Sequence, residues 1–114
     1  MNEKPHLDEE ALAELQDVME DEFSVLIQTY LADSRTRIHG LHDALAAADS
    51  DQLAKAAHSF KGSCFNIGAP RLGAFCFELE KLGKNEQLEK APEVLEAIEE
   101  EFQDVARRLE NFNE

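Results

Sequence analysis

Basic residues are scarce in this chain: 11 Lys and Arg stand against 25 Asp and Glu over 114 residues, a formal net charge of −14. Nucleic-acid binding is excluded on that ground, because phosphate backbones are held by clustered Lys and Arg. An anionic membrane surface is disfavoured for the same reason. Long apolar runs are missing too, and none approaches the ~20 residues that span a bilayer. The opening stretch, MNEKPHLDEE, has no apolar segment of the kind a secretory signal carries. A cytoplasmic protein is the expectation. Alternating Val/Ile/Thr runs and Asn-Gly turns are absent, which removes the signals of a sheet. No GxxxxGK[ST] or glycine-rich kinase loop occurs, so phosphorylation from bound ATP is not expected. Cys64 and Cys76, the only cysteines, fall on apolar stripes and read as small buried hydrophobes; a disulfide between them is unsupported.

What is present is helical periodicity over a one-domain length, residues 1–114. Leu12, Leu15 and Met19 mark a short first helix with Asp8 as N-cap. Phe23, Leu26, Ile27, Tyr30, Leu31, Ser34, Ile38, Leu41 and Leu45 mark a long second helix, interrupted only by Gly40. Asp49 with Gln52 forms a capping box for a third helix, which Gly68 stops after Ile67. Pro70 suits the first turn of a fourth helix with the stripe Leu72, Phe75, Cys76, Leu79 and Leu82. Gly83–Pro92 reads as a loop. Val94, Leu95, Ile98, Phe102, Val105, Leu109 and Phe112 then mark a final helix. The expected fold is all-α: an antiparallel up-down four-helix bundle, with the short extra N-terminal helix capping one end.

On the third helix Leu53, Ala56, Phe60, Cys64 and Ile67 share one sector, with Ala57 at its edge, and this is the core face. His58 lies nearly opposite, in a stripe with Asp51, Lys55, Lys61, Gly62 and Phe65. It should therefore face water. Lys61 and Gly62 occupy the two positions that sit beside it on a helix surface. A mid-helix glycine costs roughly 1 kcal/mol relative to alanine and asks for a reason. Here it clears the approach of a large group to the imidazole, while Lys61 offers a cation to phosphoryl oxygens. Neutral imidazole is a competent nucleophile. A histidine, a cation and a cleared approach make a site for carrying phosphate on nitrogen.

The stretch HSFKGSCFNIGAPRLGAFCFELEKLGK, His58 to Lys84, resembles the signature of the histidine-phosphotransfer (HPt) domain family. The matching elements are His-x-x-Lys-Gly, a five-residue spacer, Gly-Ala, then Leu, Cys and Leu-Glu, in order. The acidic, one-domain layout also resembles the free-standing bacterial members of that family. Phe60 stands where leucine is usual, and Phe65 where many relatives carry something smaller. The resemblance implies a four-helix bundle whose histidine carries a phosphoryl group between the aspartates of receiver domains, those of hybrid sensor kinases and of response regulators. It places Glu80 and Lys84 as supports of the phosphate site. It also sets the stripe of Gly73 and Phe77 beside the histidine, so that Lys55, Phe65, Gly73 and Phe77 become docking candidates. The alternative reading of Phe65 and Phe77 is as covers of core edges or of the bundle end.

The charge map agrees with a phosphoryl site. Asp51–Lys84 carries five bases against three acids, whereas the rest of the chain carries six against 22. No cofactor is expected on the chain itself, and Mg2+ is expected on the receiver partner. His39 and His42 lack a further ligand at metal spacing and read as solvated, His6 as part of a frayed terminus, and Glu99–Glu101 as a water-facing helix side. A carrier of this kind is not an enzyme in its own right, and a monomer is expected. The competing reading is an acidic helical-bundle adaptor that binds a protein partner with no covalent step.

Overall fold

The computed structural model describes residues 4–113, and all regular structure among them is helical. The elements are α1 (Glu9–Met19), α2 (Glu22–Ala46), α3 (Ser50–Ile67), α4 (Pro70–Lys84), a single 3-10 turn (Leu88–Lys90) and α5 (Ala91–Asn113). Helices α2 to α5 pack in a ring, each against the next in the chain, and α5 closes on α2. Their connections are short, which sets neighbours antiparallel. None of these helices is long and apolar enough to cross a membrane.

Local chemistry explains the boundaries. The Asp8 carboxylate accepts from Ala11 N at 3.1 Å and caps α1. Asp49 does the same for α3 through Gln52 N at 3.0 Å. Gly68 ends α3 in the left-handed conformation, with φ of 90°, and Pro70 opens α4. The α1 segment lies across this corner: Asp8 N donates to Gly68 O at 2.8 Å, and the Leu12 side chain packs by the same glycine. The loop expected at Gly83–Pro92 is shorter than that. Helix α4 runs on to Lys84, and the 3-10 turn leads directly into α5.

Two expectations fail at the terminus and on α5. His6 is no part of a frayed end: its Nδ1 lies 2.7 Å from Glu101 and its Nε2 3.3 Å from Asp104. Arg71 ties down the same segment by donating to the Lys4 carbonyl at 2.7 Å. Glu101 is consequently buried rather than water-facing, because the terminal segment covers it.

One hydrophobic cluster runs through all four long helices. On α3 the buried face is Leu53, Ala54, Ala57, Phe60, Cys64 and Ile67, so Ala57 is central and Ala56 only half-buried. Both cysteines are free and buried. A contact with Cys64, together with burial, pushes the Cys76 thiol far up, away from the reactive thiolate.

The α3–α4 pair makes the most extensive contact in the molecule. Glycines permit the close approach. A Cβ on Gly83 would meet the Ser50 carbonyl and the Ala54 backbone at 2.8–3.0 Å, whereas one on Gly40 would meet nothing within 4 Å. Gly83→Ala is therefore expected to destabilise the fold by about 1–3 kcal/mol, by forcing backbone apart. Gly40→Ala should instead stabilise by up to about 1 kcal/mol. Urea denaturation of the two variants checks this, and equal shifts would contradict the packing account.

Candidate functional site

His58 sits in the middle of α3, on the side away from Phe60 and Ile67, and its side chain is 66 % exposed. Its Nδ1 lies 2.9 Å from Oε2 of Glu80, across the interface on α4. Glu80 is 2 % exposed. Three positively charged or proton-donating groups converge on this carboxylate: His58 Nδ1, Lys61 Nζ at 2.7 Å on Oε1, and Lys84 Nζ at 3.2 Å on Oε2. Burial, the strongest single influence, pushes the Glu80 carboxyl up. The contacts from Lys61, His58 and Lys84 together outweigh it and leave the pKa at about 2.

The tautomer of His58 follows. An ionised carboxylate can only accept, so Nδ1 carries the proton and donates to Glu80. In the neutral ring the lone pair is then on Nε2, the nitrogen away from Glu80. Beside the ring is a shallow cleft of about 440 Å³, lined by Lys55, His58, Glu80 and Lys84 with Asp51 and Ala54. Gly62, one turn on, is exposed, and a Cβ there would meet nothing within 4 Å. No packing demand explains a glycine at this position.

The candidate residues divide. His58, Lys61, Glu80 and Lys84 form one connected group, and Gly62 lies beside it. Lys61, the cation expected beside the imidazole, is 22 % exposed. It is held down on Glu80, with its Nζ 4.8 Å from the centroid of the Phe77 ring, and Lys81 Nζ lies 4.7 Å from the same centroid. Lys55 is exposed and paired with Asp51 at 2.9 Å. Phe65 and Phe77 are 46 % and 45 % exposed. Gly73 cannot serve as a docking residue in its own right, because it is buried beneath Phe65. A Cβ on it would lie 2.8–3.0 Å from that ring.

The depth of Glu80 and the stacking of Phe65 on Gly73 are not expected from the helix periodicity. A signal existed. Gly73 and Glu80 are seven residues apart, two helical turns, and each follows a core leucine, Leu72 and Leu79.

His39 and His42 turn to separate carboxylates, Asp43 at 3.9 Å and Glu99 at 3.1 Å. Among the described residues, His6, Glu101 and Asp104 are close enough to share an ion. The guanidinium of Arg71 against His6, and those of Arg107 and Arg108 against Asp104, oppose a dication there.

Comparison with known proteins gives two matches. The family model of the Hpt domain matches residues 25–108. The crystal structure of histidine-containing phosphotransfer protein B (HptB) from Pseudomonas aeruginosa PAO1 is 45 % identical, with a TM-score of 0.91. That match covers 94 % of this chain and 93 % of the other. No curated protein sequence matches.

The Glu80 pKa sets an acid dependence. Because the folded value lies below the ordinary 4.5, its contribution to stability is fully present above about pH 4.5 and is lost as pH falls towards 2. Its size is on the order of 1–3 kcal/mol, discounted for the solvent reaching His58 and Lys84. Acid unfolding of the wild type and Glu80→Gln should converge across that window, and parallel curves would contradict the assignment.

Proposed function

This chain belongs to the Hpt domain family and is a histidine phosphotransfer protein of a phosphorelay; we propose that His58 is its phosphoryl carrier. The observation that carries the assignment is the pairing of an exposed imidazole with a buried carboxylate, which leaves Nε2 as the free nucleophile. Nε2 attacks the phosphorus of an aspartyl phosphate on a receiver domain. The N–P bond forms as the P–O bond breaks, and the aspartate leaves as its carboxylate. No proton has to move, since Nδ1 keeps its own. The phosphorylated ring is then cationic, and the buried Glu80 carboxylate stabilises it from 2.9 Å beneath. Return of the phosphoryl group to a second receiver reverses these steps.

Lys61 and Lys84 bring two positive charges beside one carboxylate, leaving a net positive site for a dianionic group. Transfer of this kind is mostly positioning and charge stabilisation, so a docked partner completes the site. The residues here do not fit a divalent ion of their own, because three donors already cover the carboxylate that touches His58. Mg2+ therefore belongs on the receiver in this reading. The partners are receiver domains of hybrid sensor kinases and response regulators, met by a cytoplasmic monomer with Phe65, Phe77 and Lys55 around the contact. The chain acts as a carrier rather than as an enzyme.

His58→Gln should abolish acceptance of label from a phosphorylated receiver domain while leaving the helical circular dichroism intact. The label on the wild type should be acid-labile and alkali-stable. Absence of label would favour the non-covalent adaptor. Gly62→Gln separates access from folding. It is expected to raise helix stability by up to about 1 kcal/mol and to slow transfer at least about tenfold by obstructing the approach to Nε2. Transfer at the wild-type rate would refute the access role.

A further inference from the structure

Phe77 and Glu80 stand three residues apart on α4 and so lie side by side on its surface. Lys61 reaches across from α3 and ends between them. Its Nζ is 2.7 Å from Glu80 Oε1 and 4.8 Å from the centroid of the Phe77 ring. Lys81, one turn beyond Phe77, brings a second ammonium to 4.7 Å from the same centroid. An aromatic face attracts a cation through its quadrupole, and this ring is shared by two.

The two oxygens of Glu80 are held differently. Oε2 accepts from His58 Nδ1 at 2.9 Å and also meets Lys84. Oε1 is buried, and among the described residues no donor is aligned on it as a hydrogen bond, although the Lys61 ammonium is 2.7 Å away. That contact attracts without giving direction. A lysine ammonium is a compact charge on a flexible four-carbon stem, so an unaligned ion pair leaves its position loose. The Phe77 ring supplies a second point of attachment. Lys81, drawn to the same ring, repels Lys61 and favours its place on the carboxylate.

We propose that Phe77 is a positioning residue of the phosphoryl site: its ring pins the Lys61 ammonium on Glu80, beside His58, and so fixes the cation offered to the phosphoryl oxygens. The proposal rests on the reading of His58 as the carrier. It gives Phe77 a task that needs no docked partner, since ring and ammonium belong to one chain. A cation already in place when the phosphoryl group arrives stabilises the developing charge without reorganisation.

The test uses the full chain. Phe77→Leu and Phe77→Met remove the ring and keep an apolar side chain, whereas Phe77→Tyr keeps the ring. Circular dichroism and urea midpoints establish that each variant folds. Side-chain 15N relaxation of the lysine ammonium groups is then read in the unphosphorylated protein. Lys61 should be as ordered in Phe77→Tyr as in the wild type. Without the ring it should approach the mobility of exposed Lys55, while Lys84 on the same carboxylate is unchanged. The second readout is kcat for acceptance by His58 from a phosphorylated receiver domain. It should fall about two- to fivefold in the ringless variants and recover in Phe77→Tyr. On a Lys61→Ala background, removal of the ring should cause no further loss of kcat. A docking contact of Phe77 moves KM and does not give this pattern. Lys61 equally ordered without the ring, or kcat losses that add to that of Lys61→Ala, would overturn the proposal. If the wild type takes no label at all, the carrier reading fails, and the relaxation arm still decides whether Phe77 holds Lys61.

Discussion

A carboxylate removed from water between two helices has to be met by positive partners, and the rest of this molecule is arranged around one such group. Glu80 lies at 2 % exposure in the α3–α4 interface and is met by His58 and Lys61 from one helix and Lys84 from the other. Leaving a buried charge unpaired is strongly destabilising. The same contacts thus lock the register of α3 on α4 and fix the protonated nitrogen of the imidazole. The functional geometry and the packing of this helix pair have a common cause. The glycines at either end allow the pair to close: Gly83 sits on the Ser50–Ala54 backbone, and Gly73 lies under Phe65.

The arrangement divides labour between a rigid floor and an open top. Beneath His58 the atoms are buried and paired. Above it the imidazole is exposed and Gly62 leaves the approach empty. An exposed nucleophile with a buried counter-charge suits a protein that receives its substrate from another folded domain, because the partner contributes the walls of the reaction site on docking. The local excess of bases across Asp51–Lys84, in a chain of net charge −14, confines the attraction for phosphate to that face.

Much of this was legible beforehand. The helix boundaries follow from Asp8, Asp49, Gly68 and Pro70, whose capping chemistry is local and survives packing. The exposure of His58 follows from its angle to Phe60 and Ile67 on one helix. What was hidden depends on a second helix or on the chain terminus. Glu80 looks like a surface acid until Lys61 and His58 arrive from α3, and Glu101 looks like one until His6 covers it. Gly73 lost its docking role to the ring that lies over it, and Lys61 was drawn from solvent onto the carboxylate and the Phe77 face. Side-chain periodicity reports which way a residue points. It does not report what meets it there.

The central claim is that Glu80 holds the proton on Nδ1 and so presents Nε2 for phosphorylation. Long-range 1H–15N correlation spectra of the ring, with 31P coupling in the phosphorylated protein, measure this directly. The neutral ring should show the Nδ1–H tautomer, and phosphorus should couple to Nε2. A neutral ring protonated on Nε2, or phosphorus bonded to Nδ1, would contradict the account.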